Sequence, residues 1–120
     1  MTPEAAATRA ILLATTHLVD WGRNNGGVYN RNPMCPRCGL RPYPNAGDHW
    51  IRYGVGGPGG SDQLGIVRGT GQAIVCEIKS AIGRPTKEQL QFIARVQRDG
   101  GLGLVARRPE DVLRLLGVTA

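Results

Sequence analysis

Asp62 and, fifteen residues later, Glu77-Ile78-Lys79 are the residues whose types and spacing could carry chemistry. Residues two apart on a strand share a face, so Glu77 and Lys79 project together if the stretch is extended. Asp62 would begin the neighbouring strand, across a tight Gly69-Thr70-Gly71 turn. Two carboxylates converging in this way make a hard-oxygen site suited to Mg²⁺ or Mn²⁺, to which the backbone carbonyl of Ile78 could add a ligand. A lysine beside the metal can orient an attacking water and stabilise charge on a phosphoryl group. The ordinary alternative is a Glu–Lys pair on an exposed edge strand. Against it, Ile74, Val75 and Ile78 imply a buried strand, where unpaired charges are costly.

The surrounding pattern supplies elements to hold these residues. Thr2 and Pro3 read as the N-cap and first position of a helix, and Ala7, Ile11, Leu12, Thr15, Leu18 and Val19 continue one apolar face to about Trp21. Arg23 to Gly27 is a turn cluster. Val28-Tyr29 and His49 to Tyr53 predict a hairpin whose tip is enlarged by an excursion from Asn32 to Asp48. Strands are predicted over 62–67 and 73–79, the second apolar on both faces in its first half and therefore central. Thr86-Lys87-Glu88-Gln89 has the form of a capping box opening a helix that ends near Asp99-Gly100-Gly101. A strand over 102–106 and a helix from Pro109 complete the order. The expectation is one α/β domain over residues 1–120, a mixed sheet flanked by helices.

Composition narrows the partner. The 120 residues are 41% hydrophobic and 20% charged, which excludes a disordered or collagen-like chain. No apolar run is long enough for a membrane span, and no basic-then-apolar leader opens the sequence, so a cytoplasmic protein with no membrane partner is expected. The net charge of +6, with all but two of the fifteen cations arginine, points to a polyanion, DNA above all. Arg23, Arg31, Arg37, Arg41 and Arg52 cluster around the predicted hairpin and are candidate phosphate contacts, or else a solvated basic surface.

Two further motifs carry less. Gly54 to Ser61 contains Gly-x-Gly-x-x-Gly and approximates a Walker A loop, but it runs into a strand rather than a helix and lacks the lysine, so both nucleotide readings are rejected. Cys35-Pro36-Arg37-Cys38-Gly39 has the spacing of half a zinc site. His49 could complete it, two chains could share a zinc, or the pair could be coincidental. Three cysteines argue against a disulfide framework, and His17 reads as a helix-surface histidine.

Gly59 to Gly65, Glu77-Ile78-Lys79-Ser80, Gly83 to Gln89 and Gly100 to Val112, taken in order, resemble the VRR-NUC branch of the PD-(D/E)XK nucleases. Upstream, Arg23 to Gly27 and Trp50 to Gly54 are similar to its small single-domain phage members. Ser61 stands where the superfamily motif has its proline, and the segment from Asn32 to Asp48 departs from the pattern. The resemblance implies a restriction-endonuclease-like fold and a Mg²⁺- or Mn²⁺-dependent DNA endonuclease, in the host cytoplasm if phage-encoded. Asp62 and Glu77 would bind the metal, Lys79 would be the catalytic lysine and Gln89 would face the active site. Glu4 would complete the metal site. Set against these roles, Gln89 is equally a capping residue and Glu4 a favourable charge near a helix N-terminus. The resemblance further implies a homodimer acting on branched DNA such as Holliday junctions. The alternatives are a less selective nuclease on single-stranded or flap DNA, or a DNA-binding module without activity.

Overall fold

The architecture follows from a strand that is buried along nearly its whole length. In a computed structural model of the chain, which describes residues 1–57 and 60–118, this strand is β5 (Ala73–Ile78). It is preceded by α1 (Pro3–Thr15), β1 (Val19–Arg23), β2 (Gly27–Asn30), β3 (Trp50–Tyr53) and β4 (Gln63–Val67), and followed by α2 (Lys87–Arg98), β6 (Leu102–Ala106) and α3 (Pro109–Leu115). Four strands form a sheet in the order β1-β4-β5-β6, while β2 and β3 pair as a separate ribbon. The β1–β4 and β4–β5 pairs are antiparallel, and β5–β6 is parallel through the α2 crossover. The fold is therefore mixed α/β, as expected, with β5 in the interior of the sheet. Pro58 and Gly59, which belong to the glycine-rich loop and to the quoted resemblance, lie outside the described residues, as do residues 119–120.

Alternation along β5 divides the core in two. Cys76 and Ile78 pack with Ile11 of α1, Ala106 of β6 and Val112 of α3. Val75, on the other face, packs with Phe92 and Ile93 of α2. Glu77 shares the face of Val75, so the β5 carboxylate lies on the α2 side of the sheet.

The first helix ends earlier than its apolar spacing predicts. The reading to about Trp21 is corrected: α1 stops at Thr15, and Val19 and Trp21 belong to a strand. The Thr15 hydroxyl donates to the Ile11 carbonyl at 2.7 Å and accepts from the Trp21 indole at 2.9 Å, which turns the chain back beside the helix end. The β1 strand then satisfies the open edge of β4 along five residue pairs. Gly65 permits this approach, because a Cβ there would lie 2.6 Å from Val19 Cγ1 and 2.9 Å from Trp21 Cε3.

The hairpin with an enlarged tip is present as β2 and β3, and its tip is ordered by one buried asparagine. Asn32 is 1% exposed. Its amide nitrogen donates to the carbonyls of Tyr43, Ala46 and Gly47, and its oxygen accepts from Tyr43 N. Arg41 adds bonds to the Asn32 carbonyl at 2.7 Å and to Asp48 at 2.5 Å. Among the described residues, no helix is long and apolar enough to cross a membrane.

Candidate functional site

The β4–β5 register pairs Gln63 with Cys76, so one step further Asp62 stands opposite Glu77. The same row extends to Asn24 beyond β1, whose N–H donates to the Asp62 carbonyl at 2.8 Å. The Asp62 N–H in turn donates to Glu77 Oε2 at 3.3 Å. Glu77 is 1% exposed, and its Oε1 receives Lys79 Nζ at 3.2 Å and Gln89 Nε2 at 2.8 Å. The structure thus brings Asp62, Glu77, Lys79 and Gln89 to one place.

Gln89 closes the capping box and contacts Glu77 with the same side chain. Its Oε1 accepts from Thr86 N at 2.7 Å, closing the capping box at the start of α2, while the Thr86 hydroxyl accepts from Gln89 N at 3.1 Å. With the oxygen so engaged, the amide nitrogen is left to face Glu77. Helix initiation and site geometry are held by one side chain.

Burial, followed by the neighbouring Asp62 charge, pushes the Glu77 carboxyl up to about 7 from its ordinary 4.5, with Lys79 pulling the other way. The folded chain therefore retains a proton that the unfolded chain releases between these two values. Stability should fall as pH rises through that window, by about 3 kcal/mol once Glu77 is fully ionised. Urea denaturation at pH 4.5 and pH 8 in chelator, for the wild type and Glu77→Gln, measures this. The glutamine variant should lose far less stability between the two pH values, whereas parallel behaviour would refute the assignment.

Asn24, one residue of the predicted turn cluster, secures the loop leading to Asp62. Its side chain donates to the carbonyls of Val55 at 2.8 Å and Ser61 at 2.9 Å and accepts from Val55 N at 3.0 Å. Arg107 does the same beyond Lys79, donating to the carbonyls of Ser80 and Gly83. Neither was legible, since both act on backbone carbonyls far away in sequence.

Ser61, at the position of the superfamily's proline, is fully buried, and among the described residues its hydroxyl has no hydrogen-bond partner. An orphaned hydroxyl carries a desolvation cost without return. Ser61→Ala should accordingly raise unfolding stability by about 1 kcal/mol. A denaturant midpoint that drops would show that the hydroxyl is in fact used.

No protein-family model matches the chain, and no curated protein matches it significantly.

Two clefts meet at Asp62. One, of about 1060 Å³, runs between the start of α1 and the end of β1 and is lined by Glu4, Arg23, Asp62 and Ser80. The other, of about 440 Å³, is lined by Arg23, Asn25, Arg52, Tyr53, Asp62 and Gln89. Glu4 therefore shares a cleft with Asp62. However, among the described residues no three His, Cys, Asp or Glu side chains form a metal-binding group, so Glu4 does not close on the carboxylate pair. Ile78 lies between Glu77 and Lys79 with its side chain in the opposite core. Of the arginines, Arg23, Arg31, Arg37 and Arg52 are exposed, and Arg31 lies over the Tyr43 ring at 5.7 Å. Arg41 is instead committed to Asp48 and Asn32.

Cys35 and Cys38 form a turn of their own at the tip of the excursion. Cys35 N donates to the Leu40 carbonyl at 2.7 Å and Gly39 N to the Cys35 carbonyl at 2.8 Å. Backbone N–H groups of Cys38 and Arg37 point at the Cys35 sulfur and hold its pKa below the ordinary thiol range. His49 does not join the pair in a three-ligand group. Cys76 is remote from such chemistry, its thiol pushed up to about 12 by burial and by the Glu77, Asp62 and Asp111 carboxylates.

Proposed function

We propose that the chain is a Mg²⁺- or Mn²⁺-dependent DNA endonuclease of the PD-(D/E)XK type, acting as a homodimer on branched DNA. The observation that carries this reading is the convergence of Asp62, Glu77, Lys79 and Gln89 at the end of a buried strand. Two carboxylates sharing a single ammonium are costly in such a place, and a divalent cation would relieve that cost. Two carboxylates suffice for Mg²⁺, which usually keeps several waters and takes further ligands from substrate phosphates.

Held by Asp62 and Glu77, the metal would supply Lewis-acid polarisation of a phosphoryl oxygen and a lowered pKa for an attacking water. The chain's own residues account for the rest. Lys79 places an ammonium beside Glu77, where it can stabilise the negative charge that gathers on the phosphoryl oxygens as a P–O bond breaks. Gln89 fixes the orientation of the Glu77 carboxylate by binding Oε1. Arg23 and Arg52, on the cleft that leads to Asp62, are placed to hold flanking phosphates. The element order α1, β1, β4, β5, α2, β6, with the β2–β3 ribbon inserted, supports the PD-(D/E)XK assignment. Two such sites related by a two-fold axis would cut paired strands symmetrically.

The test is cleavage of a matched panel of four-way junction, flap, single-stranded and duplex DNA with Mg²⁺ or Mn²⁺. Metal-dependent cutting with the junction preferred supports the proposal. Preference for single strands or flaps would favour the less selective nuclease, and binding without cutting would leave a DNA-binding module.

A further inference from the structure

We propose that Cys35 and Cys38 bind a structural zinc ion together with the same two cysteines of a second copy of this chain, so that the metal ties two excursion tips into a dimer. The inference does not rest on the nuclease reading. The turn is already shaped as a metal knuckle: the Cys35 N–H donates to the Leu40 carbonyl, Gly39 takes the left-handed conformation at φ +71°, and its N–H returns to the Cys35 carbonyl.

The ligand count then decides the partner. Structural zinc sites are almost always four-coordinate, and this knuckle supplies two ligands. Among the described residues no third His, Cys, Asp or Glu joins them, and Cys76 is enclosed in the core. A second knuckle supplies both missing ligands at once, and the arrangement closes by an isologous two-fold contact. Two features of the tip suit such a contact. Met34 and Leu40, which flank the knuckle, are 55% and 67% exposed and would be covered by the partner. Four thiolates around Zn²⁺ leave a net charge of about −2, and the Arg37 of each copy, set between the two cysteines, brings a compensating positive charge.

The experiment uses the full chain, purified without chelator in the presence of a phosphine reductant. Metal analysis should find one zinc per two chains, and sedimentation should give the dimer mass. Chelator should convert dimer to monomer, and added zinc should restore it. Cobalt substituted at one ion per two chains should show the charge-transfer bands of tetrathiolate coordination. The double variant C35S/C38S should hold no zinc and sediment as a monomer. It should remain folded by circular dichroism, because the Asn32 and Arg41 bonds that order the excursion are untouched; should it fail to fold, the chelator titration of the wild type decides. One zinc per monomer, no zinc at all, or a dimer whose mass is indifferent to zinc removal would each overturn the proposal. None of these readouts depends on cleavage of DNA.

Discussion

Incubated with Mg²⁺ and branched DNA, the Asp62→Asn and Lys79→Ala proteins are expected to cut at least about a hundredfold more slowly than the wild type. The two losses differ in what accompanies them. Asp62 contributes its backbone to the fold, through its N–H to Glu77 and its carbonyl to Asn24. Its side-chain charge, by contrast, raises the Glu77 pKa. Replacing that carboxylate by an amide keeps the backbone bonds and removes a repulsion. Asp62→Asn should therefore be as stable as the wild type or more so at pH 8, while losing activity. Lys79→Ala removes the ammonium beside Glu77, so its loss of activity should come with lower stability at the same pH. Cleavage rates and denaturant midpoints on both variants separate chemistry from folding. An Asp62→Asn protein that cuts at close to the wild-type rate would dismiss the proposed site.

The second large effect is on binding. Arg23, Arg31 and Arg52 are exposed around the ribbon and the Asp62 cleft, giving six guanidinium groups in the proposed homodimer. Each phosphate neutralised releases condensed counterions, with a log–log slope of about −0.9 per duplex contact. Affinity for a junction should thus fall by about a thousandfold between roughly 50 and 200 mM salt. Arg23→Ala or Arg52→Ala should flatten the slope, whereas Arg41→Ala should act through the tip's stability, since Arg41 is bonded to Asp48 and Asn32. Titrations across salt, on junctions of scrambled sequence, check this. A flat response, or strong dependence on base sequence, would defeat it.

What was legible in the sequence depended on how local the determining contacts are. The α2 start was readable because a capping box lies within four consecutive residues, Thr86 to Gln89. The β4 and β5 strands were readable because glycine turns bracket them and β5 is apolar on both faces. Glu77 and Lys79 could be placed together from their two-residue separation alone. The β1 strand was not readable. Leu18 and Val19 prolong the helical spacing of α1, and only the open edge of β4, remote in sequence, makes Val19 the start of a strand. The same limit hid Asn24, Asn32 and Arg107. Each is an ordinary polar residue until its distant carbonyl partners are known.

The β1–β4 pairing has a consequence for how this chain can vary over descent. Register is continuous up to the Asn24–Asp62 bond, and Asn24 also fastens Val55 and Ser61. Everything between these points, the ribbon and its cysteine-bearing tip, hangs from a closed neck. Lengthening a closed loop adds only logarithmically to its entropic cost. The tip can accordingly be lengthened, shortened or exchanged without the change being felt at the row of Asp62 and Glu77. What the arm grips and what the sheet holds are free to diverge on separate schedules.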